Sequence, residues 1–301
     1  MQRGWSVLFG VVLLGALLLT VLSPAFGWWL PPLGNKESFG REIDNLFYVI
    51  LYVTGFFFVM TEAILVVAMW RYAERPGRRS VYVHGNHKLE MVWTLVPAGI
   101  LLFIAFVQIN AWADIKYATR MKPPQQIIEV RANQFEWNMR YPDKKTLEKL
   151  AAPSEEGEWK AKASADKWGN DHLADFGDLH VKSELHTWKG ANTRIYLKTR
   201  DVLHSFYLPH MRLKQDAVPG KTIPVWFKPD ESNGEWKNGK WEYDTDDNGK
   251  PKYWELACAE LCGWGHYKMH GKLCVHKDRA SYLRWLADTT KKNRTHQRDD
   301  K

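Results

Sequence analysis

The twelve residues CAELCGWGHYKM, Cys258 to Met269, put two cysteines, a histidine and a methionine on one short segment. The chain has only three cysteines in 301 residues, too few for a disulfide-stapled scaffold. Thiolate and imidazole donors together select soft or borderline metals. On spacing alone three readings stay open: a Cys258–Cys262 disulfide in an oxidising compartment, a zinc site on Cys-x3-Cys-x3-His, and a copper site. Zinc asks for a fourth strong donor and has no need of methionine.

A mononuclear electron-transfer copper site uses one Cys, two His and a weak Met. One of its histidines comes from a distant strand. Here the loop supplies Cys258, His266 and Met269, and DVLHSFYLP offers His204 upstream. Cys262 is surplus to that set. A second thiolate lets two coppers be bridged by both sulfurs, each capped by one imidazole. With every donor occupied no position is open for substrate, so the site would relay electrons rather than make bonds. Cys274, alternating with Leu273 and Val275, reads as a buried free thiol. His84, His87, His172, His180, His186, His210, His270 and His276 have no competing ligand spacing and read as surface or structural.

These residues need a scaffold, and the chain divides in two. Apolar residues crowd the first 113 positions; charged, Trp-rich segments follow. Residues 4–27 follow a short basic start and read as a cleaved signal peptide or a retained helix. Residues 46–70 and 91–113 each exceed the roughly 20 residues that span a hydrocarbon layer. The loop between them carries Arg71, Arg75, Arg78, Arg79 and Lys88 against Glu74 and Glu90, and a short basic loop stays in the cytoplasm. The hairpin therefore turns inside and everything after Ala113 lies outside. Glu62 falls within the first of these helices, where a carboxylate must face protein or water. Glu90, at the start of the second, complements the helix dipole.

From Gln125 onward, runs such as IIEVRANQFEWNMRY, LHVKSELHTW, NTRIYLKTR, TIPVWFKP, YWELAC and KLCVHK alternate apolar and polar residues between turn signals, the pattern of an antiparallel sandwich or barrel. Residues 143–178 and 230–252 are polar and poorly periodic and read as surface insertions. RASYLRWLADTTKK has helical spacing, and 291–301 reads as a charged tail. Eight of the 42 Lys/Arg and six of the 34 Asp/Glu precede residue 111, leaving 34 basic against 28 acidic side chains outside. They alternate without a basic stripe, which excludes nucleic acid as a partner.

In order along the chain, the helix hairpin, LEMVWTLVP, ANQFEWNMRYP, TRDVLHSFYLP, RLKQDAVPG and CAELCGWGHYKM resemble subunit II of the heme–copper cytochrome c oxidases. The resemblance implies a transmembrane helical hairpin over 28–118 and an all-β cupredoxin-like barrel over 119–290 holding a dinuclear copper centre, CuA. Cys258 and Cys262 would bridge the coppers, and His204 and His266 would cap them. Met269 and the Glu260 carbonyl would be weak ligands. The Glu260 carboxylate would face a magnesium ion at the boundary with subunit I, a boundary near which Lys214 and Asp216 would also lie. Glu90 would sit at the mouth of a proton-uptake channel, and Gln134 and Asp201 at the edge where a cytochrome docks. The ring that receives electrons is usually Trp in a QWYW segment; here Gln134-Phe135-Glu136-Trp137 puts Phe135 in its place, while Trp137 matches.

The family further implies a proton-pumping terminal oxidase with subunits I and III, in a bacterial inner membrane with the copper domain periplasmic. A net charge of +6 outside the membrane gives a basic cytochrome c no average steering field, so a local acidic patch or a different donor is needed. No C-x-x-C-H motif occurs, so the donor cytochrome would be a separate protein. Three competing functions are weighed against this. A copper-free quinol-oxidase subunit would lack the thiolates. A membrane-anchored copper-binding or copper-delivery protein would favour a single open site. A nitrous oxide reductase domain shares the copper loop without the hairpin.

Overall fold

A computed structural model describes residues 2–77, 79, 82, 84–117, 124–142 and 178–299. The stretch read as a first insertion lies, apart from Asp178, outside the described residues. The chain forms two compact units: residues 1–30 with 42–110, and residues 31–41 with 111–301.

The first unit is helical. Its helices are α1 (Gln2–Leu22), α2 (Gly40–Arg71) and α3 (His87–Lys116), and all three are long and apolar enough to cross a membrane. Side chains such as Leu14, Phe56 and Phe106 stay exposed along them, as a lipid-facing surface requires. Between α1 and α2 the Ser6 hydroxyl donates to the Val66 carbonyl at 2.8 Å. The Asn86 side chain accepts the N–H groups of Lys88 and Leu89, capping α3 at its first turn. Glu90 follows in that turn, 3.8 Å from His87, and Glu62 is half-buried in α2.

The second unit is a two-sheet β structure. Its strands are β1 (Gln126–Asn133), β2 (Glu136–Tyr141), β3 (Leu179–Lys182), β4 (Glu184–Trp188), β5 (Thr193–Thr199), β6 (His204–Leu208), β7 (Leu213–Ala217), β8 (Ile223–Phe227), β9 (Gly234–Lys237), β10 (Lys240–Tyr243), β11 (Trp254–Cys258) and β12 (His270–His276). One sheet runs β3-β2-β1-β5-β8, the other β4-β12-β11-β6-β7. Both are mixed: β1 pairs β5 and β4 pairs β12 in parallel, and the remaining pairs are antiparallel. The alternation-based strands all form. β6 and β7 arise from two segments whose periodicity is too weak to announce them.

Two stretches differ from the sequence reading. Residues 230–252, read as an aperiodic insertion, fold back as the β9–β10 hairpin. The expected charged tail continues a helix, α4 (Arg279–Asp299). Residues 31–41, between two membrane helices, belong to the β unit. There Gly34 exchanges backbone hydrogen bonds with His210 and Asp230. The buried Asn35 amide donates to the Met211 carbonyl, and Phe39 meets Trp226 edge-on at 5.0 Å.

α4 docks through Tyr282, Trp285 and Leu286, all buried, over a pair of buried histidines. Trp285 stacks on His186 with centroids 3.8 Å apart. His186 Nδ1 lies 3.1 Å from His276 Nε2, His186 Nε2 lies 3.3 Å from Glu184, and His276 Nδ1 lies 3.3 Å from the Ser281 hydroxyl. One direction satisfies the whole chain: Ser281 donates to His276, His276 to His186, and His186 to the Glu184 carboxylate. It requires both rings neutral. Burial does hold them so, pulling His186 down to about 4 and His276 to about 2 from an ordinary 6.5.

Below pH 6.5 the unfolded chain therefore binds protons that the folded pair refuses, and stability falls with pH. Each ring contributes about 1.4 kcal/mol per pH unit across the interval from 6.5 down to its folded value. Denaturant unfolding followed by tryptophan fluorescence between pH 6.5 and 4.5 will show this slope. His276→Gln will reduce it by about 1.4 kcal/mol per pH unit.

Candidate metal centre

The ligand loop is the hairpin connection between β11 and β12, closed at its base where the Cys258 N–H donates to the Met269 carbonyl at 3.2 Å. β11 lies beside β6 with Cys258 opposite Phe206. Beyond Cys258 the Ala259 N–H reaches the Ser205 carbonyl at 2.9 Å. That register carries the loop over His204, the first residue of β6. A single-turn helix, His266–Lys268, then brings the second imidazole round.

The six donors expected from the sequence converge. Cys258 Sγ lies 3.9 Å from Cys262 Sγ, far beyond the roughly 2.05 Å of a disulfide, and both are free thiols. Cys258 Sγ is 3.9 Å from His204 Nδ1 and 3.3 Å from the Glu260 carbonyl oxygen. Cys262 Sγ is 3.5 Å from His266 Nδ1 and 3.8 Å from Met269 Sδ. The ligand atoms of His204, Cys258 and Cys262 all fall within 4.8 Å of one another. His204 and Met269 are fully buried and Cys262 nearly so. Two sulfurs, two imidazoles, a thioether and a carbonyl around one small volume fit soft or borderline metal.

The two thiols are not equivalent. Burial opposes ionisation of Cys258, but hydrogen bonds from His204 and from the backbone at Ser205 and Glu260 bring its pKa down to about 6. Cys262 is pushed up to about 11, by burial and by Cys258 beside it. Cys258 is therefore the sulfur of the two that ionises more readily.

Around the ligands sits a supporting layer from other strands. His204 Nε2 is 2.9 Å from Asp201 Oδ1, so its outer N–H goes to the carboxylate and Nδ1 faces the sulfurs, the arrangement that orients metal-binding imidazoles. Asp201 also accepts the N–H groups of Gln134 and Val202. Burial resists its ionisation, and these donors prevail and lower its pKa. The Gln134 amide donates to the Cys262 carbonyl at 2.5 Å. Gln134 and Asp201, assigned by resemblance to a docking edge, therefore both hold the ligand frame. Trp137 is fully buried, packed edge-on against His204 at 6.3 Å and Phe206 at 5.5 Å.

Phe135 is half-buried beneath the loop. A Cβ on Gly265 would come within 2.6 Å of its Cγ, and one on Gly263 within 3.2 Å of its ring, so the Gly-Trp-Gly turn needs both glycines to lie flat on the ring. Trp264, between them, meets Phe135 at 5.0 Å. Its exposure was not legible in the sequence, because loop conformation alone decides which way an aromatic faces. Cys274 is buried and free, and burial pushes its thiol well up. His270 pairs with Glu255 and His210 stacks on Trp254; His172 lies outside the described residues. Asp216 accepts from the Ser205 hydroxyl at 2.8 Å.

Comparison with known proteins agrees. The family profile for the transmembrane domain of cytochrome c oxidase subunit II matches residues 38–110, and that for its periplasmic domain matches residues 126–236. An alternative cytochrome c oxidase subunit 2 of Bradyrhizobium diazoefficiens is 25% identical over 288 residues, 92% of this chain and 88% of that protein. A cytochrome c oxidase subunit 2 of Thermostichus vulcanus is 26% identical over 253 residues, 78% and 71% of the two chains. Among solved structures, the periplasmic domain of subunit II of a Bradyrhizobium japonicum cytochrome oxidase aligns at 19% identity, with 57% of this chain and 98% of that one covered and a TM-score of 0.38. The chain belongs to the cytochrome c oxidase subunit II family.

Replacing Asp201 by Ala removes the acceptor that fixes the His204 ring. Copper affinity, measured by chelator competition on the full chain, will fall by about 10- to 100-fold, and Asp201→Asn will lose less.

Proposed function

We propose that the chain takes up electrons one at a time from a separate cytochrome c at a dinuclear copper centre and passes them to heme in subunit I of a proton-pumping heme–copper oxidase. One observation carries this reading: two free cysteine sulfurs stand 3.9 Å apart inside a closed set of donors. Cys258 and Cys262 would bridge two coppers, His204 and His266 would cap them, and Met269 and the Glu260 carbonyl would complete the set. Copper held by these residues would supply a one-electron couple.

The chain's own contribution is rigidity. Asp201 fixes one imidazole, Gln134 ties down the Cys262 carbonyl, and the hairpin base joins Cys258 to Met269. Donors that cannot relax keep their geometry when the charge changes, so little reorganisation accompanies electron transfer. A donor set with every position taken, and with His204, Cys262 and Met269 buried, favours a relay over copper delivery, which needs an open position to accept and release metal.

Three further roles belong to the same proposal. The Glu260 carboxylate would hold magnesium at the boundary with subunit I. Glu90, on the first turn of α3, would gather protons at the cytoplasmic end of the hairpin. Trp137, packed on His204, would relay electrons at the metal centre. The membrane would be a bacterial inner membrane with the β unit on the periplasmic side, and subunit III would complete the assembly.

Copper loading of the full-length chain tests the centre. Two coppers per chain are expected, with an EPR hyperfine pattern split by two equivalent copper nuclei. Cys262→Ser should drop the content to one copper and the pattern to that of a single nucleus. A wild-type chain that shows a single-copper signal, or takes up zinc instead, would overturn the reading.

A further inference from the structure

We propose that Trp264, rather than Phe135, is the ring at which an arriving electron first meets this chain, and that with Leu261 and Tyr267 it forms an apolar contact face for a protein donor with an acidic rim. The inference rests on the copper reading above. Among the described residues of the β unit, the three most exposed large apolar side chains are Trp264 at 80%, Leu261 at 78% and Tyr267 at 66%. All three project from the ligand loop, and Trp264 is two residues from both Cys262 and His266. Val202 and Leu203, next to His204, are also exposed. A concentrated apolar patch in contact with water marks an interface, and a central tryptophan is the residue type that most often dominates one.

Phe135 lacks that position. It is half-buried under the Gly263–Gly265 turn, and Trp264 covers it edge-on. A donor landing on the loop touches the indole first. From there the route to a ligand is short by either chain direction, and the Phe135 ring stiffens the turn from below.

The patch also carries charge. Lys268 Nζ sits 5.9 Å from the Trp264 ring and 5.4 Å from the Tyr267 ring, so one cation lies against both aromatics. After residue 110 the chain carries 34 basic against 28 acidic side chains, a net of +6, so an acidic rim on the donor is complementary and a basic one is not. In the transfer itself the donor's ferrous heme iron becomes ferric and the copper pair gains that electron. No bond breaks and no proton moves.

The test uses the assembled oxidase, with an acidic and a basic soluble ferrocytochrome c as probes in stopped flow. Trp264→Ala should slow copper reduction by the acidic probe about thirtyfold with the copper absorption spectrum unchanged, and Trp264→Phe should retain most of the rate. Lys268→Glu should shift preference toward the basic probe. On the metal-free full-length chain, Trp264→Ala should weaken docking of the acidic cytochrome by a similar factor. Wild-type rates in Trp264→Ala together with a loss in Phe135→Ala would overturn the assignment. A wild-type preference for the basic probe would overturn the acidic rim. If the wild-type chain held no copper pair, the copper reading would fail, and the metal-free titration would still decide the contact face.

Discussion

Everything in the β unit that bears on chemistry depends on keeping two thiols close without letting them join. At 3.9 Å the Cys258 and Cys262 sulfurs are too far apart to be bonded and near enough to share a metal. Two sets of hydrogen bonds enforce the gap. The hairpin base clamps Cys258 to Met269 and to the β6 edge. From the opposite side, the β1–β2 turn reaches over through Gln134 to hold the Cys262 carbonyl. Cys258 thus belongs to a strand end and Cys262 to a loop fastened to the other sheet.

The same cross-sheet logic sets the imidazoles. His204 would be free to turn about its side-chain bonds if Asp201 did not take its outer N–H. Asp201 is itself fixed by the Gln134 N–H, the residue that holds Cys262. One three-residue relay, Cys262–Gln134–Asp201, therefore links a sulfur on the loop to a ring on β6. Two glycines let the loop collapse onto Phe135, and that collapse leaves Trp264 outside.

Away from the metal centre, the unit is closed by devices that need burial to work. α4 covers a hydrogen-bonded histidine pair that is stable only when both rings are neutral. The segment 31–41 threads a buried asparagine and a phenylalanine into the β unit, so the chain between two membrane helices is part of the β core as well as a linker.

Period, length and donor chemistry are local properties, and they were enough for the membrane helices, the alternating strands and the buried Cys274 thiol, and they pointed to six candidate donors. The sequence by itself did not disclose β6 and β7, the β9–β10 hairpin, the full length of α4 or the docking of residues 31–41. Those segments take their conformation from partners distant in the chain. The roles of Asp201 and Gln134 as supports, the burial of Phe135 and the exposure of Trp264 were likewise decided only in three dimensions. Donor identity is written in residue types. Which groups hold the donors still, and which ring meets the solvent, depends on how two sheets and one loop close on each other.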